Sequence, residues 1–461
     1  MIKFGAEKTI QPKILLNIGS CFDIPTGTVV TGNKGESIIK GGLGSLNAVV
    51  GMGNRFKSTI AHYMVLSALN RLLPLIKTQI ITYDTEINMS YDSLGRLLKN
   101  FENINEDNIF SEELWSVSDK SNYLADEWVE LLKSYTKQKI EDKNSKLKYE
   151  LFNHQGKPYE HLVPSFVEID SLTEFEPSAT VELQDKHSIG ESGGNTLFMK
   201  QGLAKTRFLA ELPRLANNAN LYMVMTAHVS KDLNIQTGPI NIPPPKKLQF
   251  LKAGDKIKGV SDKFFFLLWN AWYITEAKPM LDSNKQIEYP MSEGSIDNDL
   301  HLVRATQLRC KTGPTGYSLS IVVSQTEGVI PEMTEFINLK EANRFGLGGN
   351  PRSFYLELYP ECKLNRMNIR KKLKTDPKLR RAMNITSELL QVKNFYPQYA
   401  DYMCTPQELY EDIKKNYDWD ILLNTRGWWH PLQYKHPIPF LSIIDLLKMR
   451  KGEYSPYWLK K

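Results

Sequence analysis

Apolar residues along this chain fall into short, separated runs, and most of these runs end in a polar or acidic cluster. Leu46 to Val50 is one such run, read as a strand; the polar turn after it opens an amphipathic helix predicted from Ser58 to about Leu73. Thr78 to Tyr83 reads as a second buried parallel strand, ending in Asp84-Thr85-Glu86, and Ser165 to Ser171 as a third that closes on Asp170. Leu221 to His228 is a fourth, and after a loop from Val229 to Asp262 the run Phe264 to Trp269 is predicted as a fifth, its aromatics belonging to the core. A further pair, His301 to Leu308 and Tyr317 to Ser324, flanks the segment Arg309 to Gly316.

Between these strands, residues 91–150 are predicted to be mostly helical with a solvated charged face. A hairpin from Lys148 to Pro164 turns at Gln155-Gly156-Lys157, and a helix from about Thr196 to Ala216 follows the polar loop 176–196. Ile14 to Ile18 reads as a first strand or a docking segment, and Thr26 to Gly44 as a Gly-rich loop. Strands alternating with helices predict an α/β fold with a mainly parallel central sheet. Three units are expected: a short N-terminal segment 1–13, a core 14–350, and a smaller basic, helical and aromatic C-terminal domain 351–461.

The turn Gly51-Met52-Gly53-Asn54-Arg55-Phe56-Lys57-Ser58-Thr59 between strand and helix carries the strongest chemical signal. A strand, a tight turn and a helix start aim backbone N–H groups at a phosphate; Lys57 neutralises the phosphates and Ser58 holds Mg²⁺. The spacing is that of a P-loop, with Phe56 where glycine normally supplies positive φ. Glu86, past the end of the neighbouring strand, is placed to orient the attacking water, and Asp170 to accept hydrogen bonds from water on Mg²⁺. His228 ends its strand beside the expected γ-phosphate and leads into the loop from Val229 to Asp262, which holds Lys231, Lys246, Lys247, Lys252, Lys256 and Lys258. Arg309 and Lys311, at alternate positions, point to the same side of a strand and would reach a neighbouring subunit's γ-phosphate. The competing reading for that segment is a hairpin with solvated charges.

Composition narrows the class. With 41% hydrophobic and 24% charged residues and no long apolar run or signal-peptide pattern, the expected location is cytoplasmic, away from any membrane. Cys21, Cys310, Cys362 and Cys404 are widely spaced, which suggests neither disulfides nor a zinc site. A net charge of +6 is modest, but residues 363–383 hold nine Lys or Arg against the single acid Asp376, a density suited to phosphate-backbone contact or to a solvated helix.

The ordered set of P-loop, Asp84-Thr85-Glu86, Ile169-Asp170-Ser171, the strand ending in Ala227-His228 and the late Arg309-x-Lys311 pair resembles the RecA-type ATPase core. Arg55-Phe56-Lys57-Ser58 is similar to the Phe-Lys-Ser turn of the UvsX-type recombinases of tailed phages, and Tyr83-Asp84-Thr85-Glu86, Ile169-Asp170-Ser171-Leu172 and Val329-Ile330-Pro331-Glu332 extend the likeness over about residues 14–350. The resemblance implies ATP and Mg²⁺ as cofactors, with the roles above for Lys57, Ser58, Glu86, Asp170 and His228, and Arg309 and Lys311 acting across a subunit boundary. It implies a homo-oligomeric filament or ring on single-stranded DNA, held by loops 176–196 and 229–262, with duplex DNA, single-strand-binding proteins and mediators as further partners. Tyr91 follows Glu86 more closely than the base-stacking tyrosine of that family does. Two alternatives stand beside the recombinase: a DnaB-type ring helicase, to whose finger segment Arg309 to Gly316 is similar, and a RecA-fold mediator with weak turnover.

Overall fold

The computed structural model describes residues 14–111, 113–152, 156–178, 181–182, 194–231, 248–260, 262–291 and 299–459. The N-terminal segment 1–13, most of the loop 176–196, Gln155, Lys246 and Lys247 lie outside the described residues. Among those described, no helix is long and apolar enough to cross a membrane.

One ten-stranded sheet organises the molecule. Numbered along the chain, its strands are β1 (Leu46–Gly51), β2 (Ile80–Asp84), β3 (Trp115–Asp119), β4 (Ser165–Asp170), β5 (Leu221–Lys231), β6 (Asp255–Ile257), β7 (Asn270–Pro279), β8 (Leu300–Cys310), β9 (Ser318–Ser324) and β10 (Gly328–Val329). Their order across the sheet is β10-β9-β8-β7-β1-β5-β4-β2-β3, with β6 added antiparallel to β5. The pairs from β7 through β1, β5, β4 and β2 to β3 are all parallel, and β8, β9 and β10 continue antiparallel. The protein is therefore an α/β protein with a large mixed sheet of mostly parallel strands.

Parallel strands need crossovers, and these cover both faces of the sheet. Val49 of β1 packs on one side with Ile60, Met64 and Leu69 of α1 (Lys57–Leu72); Leu46, Ala48 and Val50 pack on the other with α2 (Ala125–Glu141) and α3 (Gly194–Ala219). Alternation on a double-covered strand explains why β1 reads as a continuous apolar run. The helix α1 departs from its predicted amphipathic pattern, being buried on nearly every side. The segment Ile14 to Asp23 covers its outer face, where Tyr63 and Ser67 hydroxyls both donate to the Ile18 carbonyl at 2.7 Å and Arg71 meets Asp23 at 3.3 Å.

Of the two readings of Ile14 to Ile18 the docking segment fits: among the described residues it makes a single bridge, Leu16 to Leu43, and covers α1. Three other expectations are corrected. The stretch Thr26 to Gly44 contains a hairpin, Thr28–Thr31 against Ser37–Lys40. Residues 91–150 contain β3, an edge strand with Val117 exposed, which hides its alternation among polar residues. The run Phe264 to Trp269 is not a strand: it begins in the short helix Asp262–Phe265, and β7 starts at Asn270. A bounded apolar run fits a buried helix turn as well as a strand; Phe264, Phe265 and Leu268 are core, but Phe266, 56% exposed, is not.

Beyond β10 the chain adds α4 (Pro331–Glu341), a three-stranded sheet spanning residues 347–364, α5 (Ile369–Thr375) and α6 (Pro377–Phe395). These share a core with Ile24, Ile39 and Val322 from earlier in the chain, while Trp429 and Phe440 pack into the cluster around α1. The basic run 363–383 is largely spent on internal pairs. Arg370 meets Asp299 at 2.6 Å and Glu327 at 3.3 Å, Arg381 meets Glu388 at 3.4 Å, and Arg366, Lys374, Lys378 and Arg380 meet Asp282, Glu327, Asp420 and Glu102.

Candidate nucleotide site

At the carboxyl end of β1 the chain turns sharply and enters α1. Asn54 and Phe56 both take positive φ, 54° and 59°, so the turn has the left-handed conformation that glycine would adopt freely. Phe56 holds it by packing: its ring lies 5.0 Å from that of His301 and rests on the core around α1. Arg55 pins the other side of the turn to β7, donating to the carbonyls of Ile274 at 3.4 Å and Thr275 at 2.7 Å. Among the described residues no side chain caps α1, so its first N–H groups have no side-chain acceptor at the turn.

Lys57 is only 6% exposed, and its ammonium donates to the Met52 carbonyl at 3.0 Å across the turn. Burial lowers its pKa, against the raising effect of Asp170 and Glu86, while Arg55 adds to the lowering. A cation held this way, beside uncapped N–H groups and with Ser58 next in sequence, fits a phosphate chain. Ser58 and Asp170 fit Mg²⁺, which takes one or two protein oxygens and completes its shell with phosphate and water.

The sheet register brings the other candidates to the same edge. Gly51 lies beside His228, and Asp84 beside both Asp170 and Asp119. Asp170 is buried, and the Thr226 hydroxyl of β5 donates to its carboxylate. Glu86 Oε1 lies 2.7 Å from His228 Nε2 and accepts from the Ser171 hydroxyl at 3.0 Å, while Asn88 donates to Oε2 at 3.2 Å. Burial pulls the Glu86 pKa up, but hydrogen bonds from His228 and Ser171 and the charges of His228 and Lys57 outweigh it, so the carboxyl sits below its ordinary value. The group is a well-anchored carboxylate, about a quarter exposed.

Sequence reasoning passed over the residues that hold Glu86 in place. Asp84 accepts from the backbone N–H groups of Glu86, Asn88 and Met89 at 3.0, 2.7 and 2.8 Å, fixing the turn after β2. Thr85 and Ser171 lock that turn to the end of β4, the Ser171 N–H donating to Thr85 Oγ1 at 2.6 Å and Thr85 Oγ1 to the Ser171 carbonyl at 2.9 Å. An Asp or Thr next to a catalytic candidate was the available signal. Deeper still, Glu168 accepts from Thr82 at 2.8 Å and lies 3.0 Å from His62 of α1, joining the helix after the turn to the strand bearing Asp170.

The lysine candidates divide. Lys231, Lys252, Lys256 and Lys258 lie exposed around β6, which returns antiparallel along the end of β5. This part of the predicted loop is thus a paired strand, in which Lys231 meets Asp255 at 2.6 Å and the Lys258 N–H donates to the His228 carbonyl at 2.8 Å. Arg309 and Lys311 lie apart from the turn: Arg309 pairs with Ala271, which pairs with Ala48 at the amino half of β1. Lys311 donates to the Leu267 carbonyl at 2.9 Å.

No protein-family model matches the chain, and no curated protein matches it.

Proposed function

We propose that the chain is a RecA-type P-loop ATPase that assembles on single-stranded DNA and promotes homologous pairing and strand exchange. The observation that carries this reading is the meeting of Lys57, Glu86, Asp170 and His228 at the carboxyl ends of β1, β2, β4 and β5, where open α/β sheets bind ligands. Lys57 and the uncapped start of α1 would hold the phosphates of ATP, and Ser58 and Asp170 would hold Mg²⁺. When bound, ATP and its metal would supply a polarised γ-phosphoryl group.

The rest is done by this chain's own side chains. Glu86, kept ionised and fixed by His228, Ser171 and Asn88, accepts a hydrogen bond from the water and orients it. His228 is tied to Glu86 by its ring and to Lys258 by its carbonyl, so a change at the phosphates reaches β6 through one residue. Lys256 on that strand and Lys258 just after it are suited to phosphate-backbone contact, which needs charge and no sequence reading. Arg309 and Lys311 would complete the site of the next subunit, making assembly a condition of rapid turnover.

Imaging the protein with single-stranded DNA and a non-hydrolysed ATP analogue tests the reading. Helical filaments are the expected result; closed rings would make the protein a helicase, and unassembled monomers a mediator.

A further inference from the structure

At the opposite edge of the sheet, away from the nucleotide site, an open cleft of about 610 Å³ lies between α2 and the amino ends of β2 and β4, with Tyr135, Lys139 and Ser165 on its wall. Lys139 is 6% exposed, yet among the described residues no carboxylate pairs with it. Its ammonium donates to Ser165 Oγ at 2.7 Å, and the Tyr135 hydroxyl lies 2.9 Å from the same oxygen. An ammonium has three N–H donors, so two remain once Ser165 is satisfied.

A buried cation with no counter-charge is unfavourable, and a methionine would fill the same volume without that cost. The other charged groups facing the cleft do not relieve it. Asp142, past the end of α2, is tied to the Asn144 N–H and the Ser145 hydroxyl, both at 2.9 Å; Glu113 and Lys77 line the cleft from the loops before β3 and β2, and β4 contributes only Ser165. What the group lacks is an anion. We propose that this cleft binds a small oxyanion, a carboxylate or a phosphate-type group, with the Lys139 ammonium and the Tyr135 hydroxyl as donors. The inference is independent of what the nucleotide site does.

Burial alone moves the Lys139 pKa, down to about 7, so the free cleft loses its charge near neutrality and anion affinity should fall through that range. Sulfate and acetate keep constant charge there and serve as probes. They are to be titrated calorimetrically into the full-length Lys57→Ala protein, whose P-loop no longer competes. Binding is expected at pH 6 and roughly tenfold weaker at pH 8, following the charged fraction of Lys139. A preference for sulfate identifies a phosphate-type ligand, and a preference for acetate a carboxylate. Adding Lys139→Met should abolish binding, and adding Tyr135→Phe, which keeps the ring and the ammonium, should weaken it severalfold. Absence of binding for both anions at pH 6, or binding indifferent to both substitutions, overturns the proposal.

Discussion

Phe56 stands where a phosphate-binding turn normally has glycine, and replacing it separates what the backbone needs from what the ring supplies. Its φ of 59° and ψ of 25° cost a residue with a Cβ about 1–2 kcal/mol. Phe56→Gly removes that strain. It gives up half of an aromatic burial, about 1–1.5 kcal/mol, the packing on His301, about 0.5–1.5 kcal/mol, and about 0.5–1 kcal/mol through the freer unfolded chain. The net expectation is a loss of roughly 1–2 kcal/mol, even though the substitution restores the usual glycine. Phe56→Ala gives up the same ring and keeps the strain, so it should be less stable than the glycine variant by roughly 0.5–1 kcal/mol. Denaturant unfolding of the three proteins, compared at unchanged m-value, reads the order directly. Phe above Gly above Ala is the expected ranking; an alanine variant equal to or more stable than the glycine variant would refute the claim that the left-handed turn is what position 56 must provide.

Further outcomes follow from the same structure. Removing the His228 ring takes away the largest pKa-lowering partner of Glu86 while burial still pulls upward, so His228→Ala should move the acid limb of any Glu86-dependent pH–rate profile to higher pH. Neutralising Lys252, Lys256 and Lys258 together with Lys246 and Lys247 should weaken single-stranded DNA binding and flatten its dependence on salt, by about 0.7 in log–log slope for each DNA phosphate no longer neutralised; affinity measured across a salt series decides it. Lys139→Met should stabilise the free protein by roughly 2–4 kcal/mol at pH 6, because the depressed folded-state pKa means the unfolded chain binds more protons. Wild-type stability accordingly rises with pH from about 7 towards 10.5, and urea unfolding at pH 6 and pH 10 should show the variant's advantage disappearing.

Asp170, Glu86 and His228 were legible as candidates because each lies at or just past the end of an apolar run in the sequence. A run such as Phe166 to Ile169 ending in Asp170 announces both its strand and the edge at which the acid must sit. The register that brings Glu86 to His228 was not legible, since the 142 positions separating them carry no sign of which strands become neighbours. The same blindness made residues 363–383 read as a free cationic face. The acids that meet them, among them Asp282, Asp299 and Glu102, come from distant parts of the chain. Lys139 gave no signal at all, since a lysine near the end of a charged helix looks solvated until β4 is placed beside it.

The most direct measurement is steady-state ATP hydrolysis by the full-length protein, with and without single-stranded DNA, alongside Glu86→Gln and Lys57→Ala. The expected result is Mg²⁺-dependent turnover stimulated by DNA, abolished in both variants, with ATP binding retained in Glu86→Gln and lost in Lys57→Ala. Turnover that survives Glu86→Gln, or a wild-type protein that binds no ATP, would contradict the assignment of this site.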